Sequence, residues 1–271
     1  MKIGNKNFDF ENKAYIMGIL NTTPDSFSDG NKWNNTDIAL KHVENMINDG
    51  ADIIDIGGES TRPGFVQVSV EEEIERVVPY IQMIKKRFDI PVSVDTYKAE
   101  VARNAIDAGA DMVNDIWGLK KDKDMADVVA KSDIPCVVMH NRDINKYPYK
   151  NFLNDVVSDL KESIKLGLDA GVKLEKIILD PGIGFAKTYE ENIMLMNNLN
   201  VLSELKCPIL LGTSRKSMIG LALDLPVDER LEGTIATTVM GLMKGCSIFR
   251  VHDVKENYRA MRMTEKIIGR A

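Results

Sequence analysis

The fold is decided by a pattern that is clearest in Ile53-Ile54-Asp55-Ile56 and the loop after it, Gly57-Gly58-Glu59-Ser60. The apolar run has the length of a buried strand and ends in small and polar residues. An amphipathic stretch over Val70–Arg87 then has the periodicity of a helix. Together these pieces form one strand–loop–helix unit.

The same unit recurs along the whole chain, about every thirty residues. The predicted strands are Tyr15–Leu20, Ile53–Ile56, Pro91–Val94, Met112–Val113, Pro135–Met139, Ile177–Leu179, Pro208–Leu211 and Ser247–Val251. The predicted helices are Asp37–Asn48, Val70–Arg87, Lys98–Asp107, Asp124–Lys131, Phe152–Ala170, Tyr189–Asn200, Glu229–Lys244 and Val254–Ile268. Gly50, Gly109 and Gly171 stand where a left-handed helix end needs glycine.

The chain thus has eight predicted strands and eight predicted helices, which is the number that a closed (β/α)8 TIM barrel requires. A doubly wound open sheet is the competing architecture, but it usually needs fewer units and often carries a GxGxxG turn, which is missing here. We therefore predict one α/β barrel domain over residues 1–271. The first dozen residues are expected to form a hairpin or extended strand that closes the bottom of the barrel.

Composition narrows the function. The chain has 271 residues, a formal net charge of -6 and a pI near 5.3, which argues against a nucleic-acid partner. Its three cysteines form no CxxC pair, so a zinc cluster or a disulfide framework is disfavoured. No secretory leader or apolar run of membrane-span length is apparent. A cytoplasmic protein without a membrane partner is expected.

Two loops after the first two strands stand out by length and content. The loops at 21–30 and 57–64 are longer than a structural turn needs, and both mix small with polar residues as mobile lids do. Surface loops rich in turn-forming residues are the alternative interpretation.

Carboxylates and an amide follow three other strands, in Asp95, Asn114 and Asp180. Such groups suit a ligand rich in N–H donors, such as an aminopyrimidine edge. An Asp directly after a strand can also cap the next helix. That alternative is serious for Asp115, next to Asn114, and fair for Asp95, but it is weaker for Asp180, because Pro-Gly follows Asp180.

Cations follow the last two strands, where TIM barrels commonly hold phosphate. Lys216, Arg250 and His252 are interpreted as anion-binding residues. Arg215 suits a salt bridge on the barrel rim equally well. The predicted pocket thus has carboxylates on one side and cations on the other, and it would bind a heterocycle carrying a phosphate.

Strand five ends in Met139 and His140. Met139 is placed in the pocket wall. A single histidine at a strand end is more typical of a hydrogen-bonded structural residue than of a catalyst.

The strand-end motifs, taken together, resemble those of the dihydropteroate synthase family, which are pterin-binding TIM barrels of folate biosynthesis. The resemblance spans nearly the whole chain. The motifs that carry it are Met17–Gly30, Asp55–Gly64, Val92–Thr96, Asn114–Ile116, Asp180–Phe185, Ser214–Lys216 and Arg250–Asp253. The fifth loop departs from the family pattern, because Asn141-Arg142 follow His140 where another methionine is common.

The resemblance implies a transferase that joins 6-hydroxymethyl-7,8-dihydropterin diphosphate to 4-aminobenzoate, with loss of diphosphate before attack by the amine. It also implies Mg²⁺ as cofactor, sulfonamides as competitors of 4-aminobenzoate, and a homodimer.

Residue roles carry over by position. The pterin would be bound by Asp95, Asn114, Ile116, Met139, Asp180, Phe185 and Lys216. The diphosphate would be bound by Asn21, Arg62, Arg250 and His252, with Asn21 also a Mg²⁺ ligand. The 4-aminobenzoate site would be formed by Phe27, Thr61, Arg62, Pro63 and Ser217. The catalytic residues would be Asp29, Arg62 and Lys216.

Two other functions remain open from the sequence. A pterin-binding methyltransferase barrel that passes a methyl group to a corrinoid shares the carboxylates and the amide. It does not need the Ser214–Lys216 loop, the Arg250 and His252 pair or the lid at Thr61-Arg62-Pro63. A catalytically silent binding barrel would show damaged motifs, and these are intact.

Overall fold

A computed structural model describes residues 1–22, 32–59 and 67–270 of the chain. Its strands are β1 Lys2–Ile3, β2 Lys6–Asn7, β3 Tyr15–Asn21, β4 Ile53–Gly57, β5 Val92–Asp95, β6 Met112–Asp115, β7 Cys136–Met139, β8 Ile177–Asp180, β9 Leu210–Leu211 and β10 Ile248–Val251. Its α-helices are α1 Lys32–Asn48, α2 Val70–Arg87, α3 Ala99–Asp107, α4 Met125–Ser132, α5 Phe152–Ala170, α6 Tyr189–Asn197, α7 Ser217–Leu223, α8 Leu231–Met243 and α9 Val254–Ile268.

Strands β3 to β10 form one parallel sheet in the order β8-β7-β6-β5-β4-β3-β10-β9. An isolated parallel bridge between Leu179 and Ile209 joins the two ends of this order, so the sheet closes into a barrel. This confirms the predicted TIM barrel. The fourth barrel strand, β6, was predicted over only two residues. It continues through Asn114 and Asp115, because both residues still pair with the neighbouring strands. The shortest barrel strand is instead β9, with two residues.

The helices agree with the predicted periodicity. The bounds predicted for α2, α5 and α9 match the structure, and Gly50, Gly109 and Gly171 have positive φ angles of 107°, 108° and 102°. Helix α7 lies outside the eight predicted stretches and forms an extra short helix before α8. Among the helices of the described residues, we find none long and apolar enough to cross a membrane.

Side chains alternate between the barrel interior and the surrounding helices, as the pleat of each strand requires. At the N-terminal end of the barrel, Tyr15, Met17 and Ile248 pack in one apolar cluster with Ile3 and Phe8. These last two belong to the antiparallel β1–β2 hairpin and the residue after it. The hairpin predicted at the bottom of the barrel is therefore confirmed, and polar groups of the interior collect at the opposite, C-terminal end.

Candidate functional site

Arg250 lies at the centre of the C-terminal mouth and joins three strands. Its Nε donates to Asp55 Oδ2 on β4, and its Nη2 donates to Asp95 Oδ2 on β5, each at 2.6 Å. Asn114 on β6 donates to the same Asp55 oxygen at 3.2 Å. Each residue occupies an interior position of its strand, which is why side chains far apart in sequence converge here.

The electrostatics of this half of the mouth are dominated by burial. Burial raises the pKa of Asp95 to about 7; the Arg250 guanidinium opposes this rise, and the nearby Asp55 carboxylate supports it. Asp55 is fully buried, and its Oδ1 atom has no hydrogen-bond partner within the described residues. Two carboxylates thus share one guanidinium and keep capacity for further N–H donors.

The other half of the mouth comes from β8 and the loop after β9. Asp180 Oδ1 accepts a hydrogen bond from Gly182 N at 2.7 Å, and burial raises the pKa of Asp180. Lys216 Nζ donates to the Ile183 carbonyl and lies 4.7 Å from the centre of the Phe185 ring. Burial lowers the pKa of Lys216 to about 8, although the Asp180 carboxylate favours its charged form. Phe185 and Lys216 therefore lie together, with the Lys216 ammonium within electrostatic reach of Asp180.

The two halves meet at Gly212, directly after β9. A Cβ atom built on Gly212 would lie 3.7 Å from Asp180 Oδ2 and 3.9 Å from Arg250 Cβ. The charges of Asp180, Arg250 and Asp95 all act on Lys216. The carboxylates and cations do meet in one mouth, but the predicted separation into a carboxylate side and a cation side is wrong, because Arg250 lies between Asp55 and Asp95.

The loops after β9 and β10 are tied to each other. Ser214 Oγ lies 3.0 Å from His252 Nδ1 and accepts a hydrogen bond from His252 N at 3.2 Å. Arg215 donates from Nε to Asp253 Oδ2 at 3.0 Å, so the alternative of a rim salt bridge is confirmed for Arg215. Ser217 is exposed and is the first residue of α7. His252 is thus tied to the loop after β9, which leads into α7.

Three other predicted residues lie at strand ends around this mouth. Met139 ends β7, is buried, and pairs in register with Asp180. Ile116 follows β6 and is half-buried, and Asn21 ends β3 and is also half-buried. The remaining predicted site residues, Phe27, Asp29, Thr61, Arg62 and Pro63, lie outside the described residues.

Asp115, next to Asn114, has a structural role. Its carboxylate accepts hydrogen bonds from Trp117 N at 2.8 Å and Leu119 N at 2.7 Å, and it faces away from the barrel interior. Burial raises its pKa to about 6. The helix-capping alternative considered for Asp115 is wrong, because α4 begins at Met125 with Asp124 in its N-cap position; Asp115 instead stabilises the turn directly after β6.

His140 has no acid–base role suited to neutral pH. It is fully buried between Asp159 Oδ2, 3.0 Å from its Nε2, and Lys187 Nζ, 2.8 Å from its Nδ1. Burial, assisted by the Lys187 charge, lowers the pKa of His140 to about 3, so its ring is neutral. The prediction of a hydrogen-bonded structural histidine is confirmed.

Two features of the site were missed from the sequence. Asp55 received no role, although a charged residue inside the otherwise apolar β4 marks it as unusual. Lys98, the other feature, donates to Glu59 at 2.7 Å and to Glu73 at 2.6 Å in a buried cluster beside β5. The sequence did contain one sign of this cluster: Glu73 lies on the apolar face of α2, one turn before Val77, where a buried carboxylate needs a partner.

Comparison with known proteins identifies the family to which this chain belongs. The profile of the pterin binding enzyme family matches residues 17–252. The dihydropteroate synthase of Clostridium beijerinckii is 65% identical over 271 residues, covering 100% of both chains. The chain belongs to the dihydropteroate synthase family.

Two solved structures of dihydropteroate synthases share the fold. The enzyme from Clostridium difficile, crystallised in the presence of pteroic acid, superposes with a TM-score of 0.94 at 54% identity and covers 98% of this chain and 100% of its own. The Yersinia pestis enzyme in a sulfonamide drug complex has a TM-score of 0.92 at 40% identity, with 99% of each chain covered.

Asp95 provides a test of the electrostatics of the mouth. Because the folded-state pKa of Asp95 is about 7 and its ordinary value is 3.8, its contribution to stability is largest at low pH and is lost as pH rises through about 7. We expect the unfolding free energy of the wild type to fall relative to that of Asp95→Asn between about pH 5 and about pH 8. Urea unfolding of both proteins at each pH measures this gap. Asp115 and Lys216 titrate in both proteins, so the gap reports Asp95 together with the groups coupled to it, and a gap that does not change with pH would contradict the assignment.

Proposed function

We propose that this chain condenses 6-hydroxymethyl-7,8-dihydropterin diphosphate with 4-aminobenzoate to give 7,8-dihydropteroate and diphosphate. Membership of the dihydropteroate synthase family supports a transferase of folate synthesis. The observation that carries the proposal is the placement of Asp95 and Asp180 with Lys216 and Arg250 in one barrel mouth. The reaction needs such a mixture, because one half of the substrate donates N–H groups and the other is a polyanion.

The pterin is recognised by the buried polar groups. Asp180 and Asp95 accept from its N–H groups, Asn114 supplies an amide, and Lys216 donates to its carbonyl or ring nitrogen. Met139, Ile116 and Phe185 contact the faces of its ring. Hydrogen bonds from the pterin N–H groups to the Asp95 carboxylate would lower its raised pKa and so favour the ionised, accepting form.

The diphosphate is held by Arg250 at the centre of the mouth and by groups around it. The two bonds of Arg250 to Asp55 and Asp95 use two of its five N–H donors, so others remain for phosphate oxygens. His252, Asn21 and Arg62 contribute further contacts. The bond from the pterin methylene carbon to the diphosphate oxygen breaks with its electron pair on diphosphate, and Asp29 stabilises the resulting pterin cation.

The arylamine then attacks that methylene carbon. Its nitrogen forms the new carbon–nitrogen bond and loses a proton, which leaves with solvent or diphosphate. Phe27, Thr61, Arg62 and Pro63 form the 4-aminobenzoate site, and Ser217 at the exposed start of α7 contacts its carboxylate. Sulfonamides compete at this site, as expected for a family with a sulfonamide complex.

Mg²⁺ is the proposed cofactor, with Asn21 as a protein ligand. Within residues 1–22, 32–59 and 67–270 no group of three or more His, Cys, Asp and Glu side chains could hold a metal ion. One amide oxygen together with substrate phosphates fits Mg²⁺, which is usually bound through few protein ligands. When bound, the ion would neutralise charge on the departing diphosphate.

The proposed reaction is tested by diphosphate release. Protein supplied with pterin diphosphate, 4-aminobenzoate and Mg²⁺ is expected to form diphosphate and dihydropteroate in equal amounts. Chelation of the metal is expected to stop the release, and added Mg²⁺ to restore it. If no diphosphate is released with both substrates present, the proposed function is wrong. If release continues after chelation, only the proposed role of Mg²⁺ is wrong.

Lys216 tests the pterin half of the site. We expect Lys216→Ala to raise the dissociation constant for pterin diphosphate by about tenfold or more, because a buried charge-assisted hydrogen bond is lost. Calorimetric titration measures the change. Lys165→Ala is the matched control, since Lys165 is 73% exposed on the outer helix α5. Equal affinities of the two variants would count against the assignment.

A homodimer is proposed from exposed apolar side chains on the last four helices. These side chains are Ile193, Met194, Leu221, Leu223, Met243, Met263, Ile267 and Ile268. Helices α8 and α9 pack together, so Met243 and the α9 residues present neighbouring faces.

We propose a cytoplasmic location for the protein. The free, buried state of all three cysteines supports it.

The dimer proposal is tested on α9. Met263 and Ile267, one helical turn apart, are 62% and 71% exposed. We expect Met263→Glu with Ile267→Glu to convert a dimer into a monomer, measured as molar mass by light scattering. Leu168→Glu on α5, where Leu168 is 45% exposed, is the control and is expected to remain dimeric. A wild type with the mass of one chain would disprove the dimer.

A further inference from the structure

Lys187 lies at the end of the loop that joins β8 to α6, and its ammonium group is enclosed by three acceptors. Nζ is 2.8 Å from the Gly182 carbonyl oxygen, 3.0 Å from the Phe185 carbonyl oxygen and 2.8 Å from His140 Nδ1. A lysine ammonium has three protons and no lone pair. Burial lowers the pKa of Lys187 to about 7; in its charged form the three protons match the three acceptors, with His140 accepting at Nδ1.

This match fixes the remaining bonds of His140. With Nδ1 as acceptor, the neutral ring carries its proton on Nε2 and donates it to Asp159 Oδ2 at 3.0 Å. Asp159 is in turn held by two hydrogen bonds from Arg142, both at 2.8 Å. Lys187 is thus anchored to α5 through a continuous chain of hydrogen bonds.

The loop that Lys187 holds has an unusual backbone. Gly182, Gly184 and Ala186 all have positive φ angles, and for Ala186 this conformation is sterically costly. A Cβ atom on Gly182 would lie 2.0 Å from the His140 carbonyl oxygen, so the loop packs directly onto the end of β7. Such a conformation persists only when surrounding contacts determine it.

The peptide groups bound by Lys187 adjoin the pterin-binding groups. Gly182 N donates to Asp180, and Phe185 carries the ring beside Lys216. Ile183, between these two peptide groups, supplies the carbonyl oxygen that accepts from Lys216. Each loop residue that touches Asp180 or Lys216 is therefore bonded to Lys187 or lies between residues that are.

We propose that Lys187 is a positioning residue for pterin recognition, which sets the places of Asp180, Phe185 and Lys216 by clamping the Gly182 and Phe185 carbonyl groups against His140. The inference rests on the proposed function. It concerns affinity for the pterin and not for 4-aminobenzoate, because the clamped loop faces Lys216 and Asp180.

The test compares two variants that each lose a hydrogen bond to this loop. Lys187→Met keeps most of the side-chain volume and removes all three donors. Tyr149→Phe is the matched control: the Tyr149 hydroxyl donates to the Ala186 carbonyl at 3.0 Å, a group that contacts neither Asp180 nor Lys216. Titration with pterin diphosphate and the KM for each substrate are measured for both, with melting temperatures.

We expect Lys187→Met to raise the dissociation constant and KM for pterin diphosphate by about tenfold or more while KM for 4-aminobenzoate changes less than about twofold. Tyr149→Phe is expected to stay within about twofold of the wild type for both substrates, even where it lowers the melting temperature. Lys187→Gln, which keeps two N–H donors without the charge, should fall between wild type and Lys187→Met.

Wild-type pterin affinity in a folded Lys187→Met protein would overturn the inference alone, as would equal losses in Lys187→Met and Tyr149→Phe. If Lys187→Met and Lys187→Gln both fail to fold, Lys187 serves the stability of the barrel and the inference is equally overturned. A wild type that does not bind pterin diphosphate would defeat the proposed function first, and the inference with it.

Discussion

The double ion pair of Arg250 is the interaction on which the mouth of the barrel depends. One guanidinium bridges Asp55 on β4 and Asp95 on β5 from its own place on β10. Taking three charged groups out of water is costly unless they compensate one another and remain hydrogen-bonded. The bridge meets this condition and at the same time leaves one Asp55 oxygen without a partner among the described residues. The same arrangement therefore permits a polar centre inside a barrel and keeps it ready for donors from a ligand.

Below this layer the barrel interior is apolar, so the two ends of the barrel differ in polarity. Hairpin residues Ile3 and Phe8 fill the N-terminal end together with interior side chains of the strands. Among the described residues, the charged groups inside the barrel lie at its C-terminal end, where loops of different origin can reach them. The chemistry of the protein follows from that confinement, because a polyanion and a heterocycle must both enter from one side.

Much of the fold could be predicted from local patterns. Apolar runs, helical periodicity and glycine stops depend on neighbours in sequence, and the structure keeps them at nearly the predicted places. The gathering of Asp95, Asn114 and Asp180 followed from the rule that parallel strands end on one side. The clamps were not predictable in this way: Lys187 meets His140 across 47 positions, and Lys98 meets Glu59 across 39. Their partners are set by three-dimensional packing, which no local spacing records. A role for Asp55 could have been predicted, since a carboxylate inside an apolar strand is visible in the sequence.

The junction between β8 and β9 has a mechanical consequence. Most barrel strands are joined by registers of several residues, whereas this junction is an isolated bridge between Leu179 and Ile209, with β9 itself two residues long. Asp180 and Lys216 stand on opposite sides of this seam. A molecule that binds both acts as a brace across the barrel wall, so occupation of the site and closure of the cylinder support each other. Backbone amides along the seam should then exchange with solvent more slowly once the mouth is filled.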